Sequence, residues 1–170
     1  MSKKILWLLI LFVSIPLACS RDDDQDNNNG PSGLEAFLNG RFSVERVDYN
    51  GELRPPLGPA FDLNGTGEDT EGFYDFDRGR QVDYEINSTM LISLPFGGQD
   101  VPFPLEVRGE GPVNIISETR FTIDDPRYGL MTYDVDSRDD NSFQARTVYT
   151  DDTLGSEIDL ELDLSFRRSN

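Results

Sequence analysis

The chain has 170 residues, a length that one domain fills, and sets 32 acidic residues against 15 basic ones for a formal net charge of −17. Such acidity argues against binding nucleic acid or an anionic lipid surface, because both are recognised through positive patches. Histidine is absent and there is a single cysteine, so Ser-His and Cys-His nucleophilic pairs and histidine zinc sites are excluded.

Residues 1–18 have the three parts of an export signal: a basic start (Lys3, Lys4), an apolar run from Ile5 to Leu17, and the small residue Ala18 before the cut. The apolar run is about 13 residues where a bilayer span needs roughly 20, so it reads as a signal peptide. Cys19 follows Leu17-Ala18 directly, and the stretch resembles a bacterial lipobox, with Pro16 at the place usually held by leucine. That resemblance implies a cysteine lipidated with acyl chains such as palmitate. Residues 19–33 then form the lipidated cysteine and a disordered acidic tether, since Ser20 to Ser32 offers no apolar side chain beyond a proline ring to repay the entropy of ordering. The triplet Asp22-Asp23-Asp24 resembles the surface-export signal of Bacteroidetes lipoproteins, which implies an outer-membrane, lipid-anchored, cell-surface location.

The folded domain spans residues 34–170. Ser32 and Glu35 have capping-box spacing and Gly40 is a stop, so one or two helical turns are expected first. From Arg41 onward the signals are strands broken by turns. Arg41 to Tyr49 is β-rich and ends at Asn50-Gly51, a dipeptide suited to a two-residue hairpin turn. Arg54-Pro55-Pro56-Leu57-Gly58-Pro59 reads as an irregular connection. Phe73 to Phe76 and Gln81 to Ser88 flank a turn at Asp77-Arg78-Gly79. Met90 to Leu94 and Val101 to Arg108 form a further hairpin, with Pro102 and Pro104 limiting pairing on one side. Val113 to Ile116 and Phe121 to Ile123 are shorter pieces, and Leu130 to Val135 and Ser142 to Tyr149 alternate again. Ile158, Leu160, Leu162, Leu164 and Phe166 alternate with Asp159, Glu161, Asp163 and Ser165, the pattern of a strand with one buried face. About 8 to 10 short strands give an all-β domain, either an antiparallel up-and-down barrel or a β-sandwich. The order of elements favours the barrel.

A short helix, then Gly40-Arg41-Phe42 opening the first strand, then hairpins ending in Arg167-Arg168, resembles the bacterial lipocalin-like proteins. In that family Gly-x-Trp opens the first strand and an arginine of the last strand covers the indole. Here Phe42 replaces the tryptophan, and either Arg167 or Arg168 supplies the cation. Gly72-Phe73-Tyr74-Asp75-Phe76-Asp77-Arg78-Gly79 resembles a strand-and-turn motif of the same proteins.

Asp62-Leu63-Asn64-Gly65-Thr66-Gly67-Glu68-Asp69 opens like a calcium loop, with oxygen ligands at Asp62, Asn64 and Thr66. The twelfth position is Phe73, which excludes an EF-hand. A looser calcium site from Asp62, Asn64, Thr66 and Asp69 stays open beside the alternative of a solvated loop. The acidic clusters at Asp134 to Asn141, Asp124-Asp125-Pro126 and Asp151-Asp152 read as turn chemistry. No carboxylate pair stands out as catalytic. The function implied is a membrane-anchored, non-enzymatic binding domain for a small apolar ligand, or else a surface accessory protein that contacts another protein or a glycan.

Overall fold

A computed structural model describes residues 33–77, 80–93, 98, 100–152 and 155–169. The signal, Cys19 and the tether lie outside the described residues. Among them, one helix, α1 (Gly33–Leu38), precedes nine strands: β1 (Gly40–Arg54), β2 (Phe61–Thr66), β3 (Glu68–Asp77), β4 (Gln81–Ser93), β5 (Asp100–Ser117), β6 (Arg120–Asp125), β7 (Gly129–Arg138), β8 (Ser142–Asp151) and β9 (Glu157–Arg168).

Every neighbouring pair is antiparallel, and β1 also pairs with β9, so the sheet closes on itself. β2 and β3 run one after the other along the same edge of β1: Leu53↔Phe61 to Asp48↔Thr66, then Ser43↔Phe73 to Gly40↔Phe76. They act as one bent wall, giving a ring of eight strands. The domain is an up-and-down barrel, and closure removes most of the edges that an open sandwich would expose.

The interior follows from strand alternation. Val82, Tyr84, Ile86, Met90 and Ile92 of β4 are buried, as are Ile158, Leu160, Leu162, Leu164 and Phe166 of β9. Each such side chain contributes roughly 1.5–3 kcal/mol by leaving water. In β1 the alternation changes phase: Phe42 and Val44 point inward, then Val47, Tyr49 and Leu53 do. A bulge between Val44 and Arg46 inserts the extra residue that swaps the faces.

Two local expectations are corrected. Asn50-Gly51 is not a hairpin turn, because β1 runs through it to Arg54 with ladders on both sides. Gly51 is needed for close approach: a Cβ there would collide with the Asp159 carbonyl of β9. Val113 to Ile116 is not a separate strand but the end of β5, which passes through Gly109 and Gly111 without a break. The irregular connection after Arg54 and the hairpin of β4 with β5 are as expected. Pro102 and Pro104 sit opposite Leu91 and Thr89, on the stretch of β5 that has no partner on its other edge.

Candidate functional site: a filled barrel with a split wall

The closed end is built from α1 and the last turn of the ring. Leu34 and Leu38 are buried under the barrel. Phe143 stacks on Phe166 at 4.2 Å, and Phe42 meets Phe143 edge-on at 5.1 Å and Phe37 at 5.6 Å. Arg168 covers this cluster, with its guanidinium carbon 4.6 Å from the Phe42 ring centroid and 5.4 Å from that of Phe37. It donates to the Phe37 carbonyl at 2.6 Å and the Asn39 carbonyl at 2.8 Å. Of the two candidate arginines, Arg168 is the lid. Arg167 points outward and pairs with Glu45.

Above the lid lies a layer of tyrosines. Tyr74 stacks on Tyr84 at 5.0 Å, Tyr133 stacks on Phe121 at 4.8 Å, and the Tyr74 and Tyr133 hydroxyls share a hydrogen bond of 3.0 Å. Burial holds the phenols of Tyr74, Tyr84 and Tyr133 well above their ordinary range, so they stay neutral. Asp125, buried at the β6–β7 turn, accepts from the backbone N–H groups of Arg127 and Tyr128 through Oδ1 and from the Tyr84 hydroxyl through Oδ2. Asp125 is thus more than a turn residue, since it ties the turn to the interior. Gly109 makes room for this contact, because a Cβ there would collide with Asp125 Oδ2 and crowd the Tyr84 hydroxyl. Together these side chains pack ring against ring across the middle of the barrel.

The wall is not equally complete. The β7–β8 ladder runs from Arg138↔Phe143 up to Tyr133↔Thr147 and stops, although both strands continue. Between their free lengths lies a cleft of about 430 Å³ lined by Leu130, Thr132, Val148 and Thr150 from outside and by Met131 and Thr147 from within. Leu130 is 68% exposed and Val148 56%. Thr147 is only 4% exposed, and its hydroxyl lies beside that of Tyr133 without forming a well-aligned hydrogen bond; the buried hydroxyl of Tyr128, which also lines the cleft, stands in the same way beside that of Tyr149.

The solved structure of Ail, the attachment invasion locus protein of Yersinia pestis, in complex with the heparin analogue sucrose octasulfate, is similar to this chain. The TM-score is 0.52 at 11% identity, over 77% of this chain and 99% of Ail. At that identity the likeness concerns the fold alone. Lobster apocrustacyanin A1 and apocrustacyanin C2 match at 17% identity with TM-scores of 0.33 and 0.34, and this chain spans 60% and 63% of their lengths. No family model and no curated protein matches the chain.

Outward positions of three of the strands are charged: Asp83 and Glu85 on β4, Glu106 and Arg108 on β5, Asp159, Glu161 and Asp163 on β9. A wall facing hydrocarbon needs the opposite polarity, so this barrel wall does not face lipid. No described helix is long and apolar enough to cross a membrane.

Asp62, Asn64 and Thr66 lie on strand β2, not in a loop, and face outward across from Glu52, Asn50 and Asp48. Their oxygens are spread along the strand at its two-residue repeat, and Thr66 donates its hydroxyl to Asp48. Asp69 sits apart from them, at the bulge before Glu71, with a left-handed backbone (φ 51°). No group of three or more His, Cys, Asp or Glu among the described residues has metal-site geometry. Sequence reasoning missed Tyr128, Thr147 and Asp125. Leu130 and Val148 were the available signal, as apolar residues on the wet phase of alternating strands.

Proposed function

We propose that the protein is a lipid-anchored, non-enzymatic barrel module of the outer membrane surface that meets a macromolecular partner with the outside of its wall. The observation that favours this reading over uptake of a small apolar ligand is the aromatic interior: Phe42, Phe76, Phe121, Phe143, Phe166, Tyr74, Tyr84 and Tyr133 pack ring against ring through the middle of the barrel. The lipobox resemblance at Cys19 and the acidic triplet behind it support the anchor and the location. α1 lies at the closed end, and the connections between β1 and β2 and between β6 and β7 lie at the other end. Neutral buried phenols and the absence of histidine leave carboxylates as the main candidate general bases, and no pair of them stands out. Ail is described with a sulfated sugar analogue; a chain of net charge −17 has no comparable attraction for sulfate.

Two measurements test this. Titration of the purified protein with palmitic acid and with an anilinonaphthalene dye is expected to show no saturable uptake, and one-to-one saturation would overturn the reading. Metabolic labelling with palmitate is expected to mark the wild-type chain and not Cys19→Ser.

A further inference from the structure

Among the described residues, three of the stretches where a strand lacks one neighbour are treated differently. On β5, the free length above Val113↔Ile123 carries Pro102 and Pro104, which block strand addition, together with Glu106 and Arg108. Between β2 and β4, the gap at Leu91 is closed from within by Tyr49, whose hydroxyl accepts from the Leu91 N–H at 2.9 Å and lies 3.3 Å from its carbonyl. At the β7–β8 seam no described residue closes the gap in either of these ways. Its edge residues Leu130, Thr132, Val148 and Thr150 are uncharged, two of them exposed and apolar, and three of the four β-branched.

The backbone there points the right way. Val135 N–H donates to the Thr119 carbonyl on the β6 side, so the even-numbered β7 residues Leu130 and Thr132 aim their amides and carbonyls toward β8. Arg168 N–H donates to the Asn141 carbonyl, which fixes the parity of the β8–β9 ladder and turns Val148 and Thr150 toward β7. A buried hydroxyl without a well-aligned partner costs free energy, and Thr147 carries one at the floor of the seam, beside the Tyr133 hydroxyl. The rim carries more acid than base: Asp134 and Glu161 border the cleft, and Asp151, Asp152 and Glu157 border the adjoining groove, against Arg146 and Arg127, with Asp134 also paired to Arg120, Asp151 to Arg127 and Glu157 to Arg54. Arg146 is already engaged by Asp163, Glu161 and Asp136.

We infer that the β7–β8 seam is a docking site for an extended, basic peptide segment of a partner protein, which adds as a strand to the edges at Leu130–Thr132 and Val148–Thr150 and reaches the Thr147 hydroxyl. Charge disfavours a second copy of this chain as the occupant, since each copy carries −17. The inference rests on the reading that the partner meets the outside of the wall.

The test uses the full chain in detergent and the peptide Lys-Val-Thr-Val-Thr-Val-Lys, with a Glu-flanked version as control. Hydrogen exchange is expected to show protection of the Leu130, Thr132 and Thr150 amides by the Lys-flanked peptide alone. Thr150→Pro removes a seam-facing N–H while sparing the β8–β9 ladder, and should weaken binding at least about fivefold. Val148→Lys, which leaves every backbone group in place, should weaken it similarly, whereas Glu106→Pro on the free edge of β5 should not. Thr147→Val should raise the melting temperature and lower peptide affinity. Unprotected seam amides, equal binding of the Glu-flanked peptide, unchanged affinity in Thr150→Pro or Thr147→Val, or sedimentation showing a second copy over the seam would overturn the inference. Uptake of palmitic acid into the barrel would instead overturn the functional reading and leave the seam result standing.

Discussion

The β8–β9–β1 wall is laddered over its whole height, from Arg54↔Glu157 at the loop end to Phe42↔Arg168 at the closed end. The β6–β7 hairpin, by contrast, pairs with β5 only from Val113↔Ile123 downward and with β8 only from Tyr133↔Thr147 downward. The two sides share one aromatic core, yet one side uses its backbone groups within the barrel and the other leaves some for a partner. Stability and recognition are thus separated around the circumference. The fully paired wall holds the fold, so the seam can stay open without unfolding it.

The largest test of the shared core is alkaline pH. Unfolded tyrosines ionise near pH 10, while burial keeps Tyr74, Tyr84 and Tyr133 protonated in the fold to higher pH. Their contribution is therefore fully present below about pH 10 and is lost as pH rises above it. Phenolate absorbance and circular dichroism should change together in one cooperative step, and separate titration of the phenols in an intact fold would refute the tyrosine layer. Next, Phe166→Ala should destabilise the protein by about 3–5 kcal/mol in urea unfolding, because the ring stacked on Phe143 leaves a cavity that the lid cannot close.

Gly51→Val breaks the paired wall where an added Cβ would meet the Asp159 carbonyl of β9, and should cost about 1–3 kcal/mol or more by forcing the strands apart. Asp125→Asn acts on the other side. It keeps one acceptor oxygen for the turn amides but none for the Tyr84 hydroxyl, so a loss of about 1–3 kcal/mol is expected. The smallest effect is one of kinetics without mutation. Amides of Leu130 and Thr150 should exchange with an opening free energy at least about 2 kcal/mol below those of the β1–β9 ladder. Equal protection on both sides would refute the difference between the two walls.

Much of the fold was legible in the sequence. The period-two runs of Val82 to Ile86 and Ile158 to Phe166 gave both strand and buried face, because alternation is a local property of the extended chain. The pairing of an N-terminal aromatic with a C-terminal arginine was legible through resemblance, and strand parity at Phe166 already points Arg168 inward and Arg167 outward. The candidate site was not. Asp62, Asn64 and Thr66 looked like a loop because Asn-Gly favours turns, yet pairing with β1 holds them in a strand.

What the sequence alone determined is the acidic, histidine-free composition, the export and tether signals at Cys19, and an all-β domain of alternating strands. Only the tertiary structure decided that the sheet closes, that Gly51 serves an approach and not a turn, and that β7 and β8 part above Tyr133 and Thr147. The reason is physical. Residue type and alternation act over a few neighbours, whereas ring closure, bulge phase and the length of a ladder depend on which distant strand supplies the other half of each hydrogen bond.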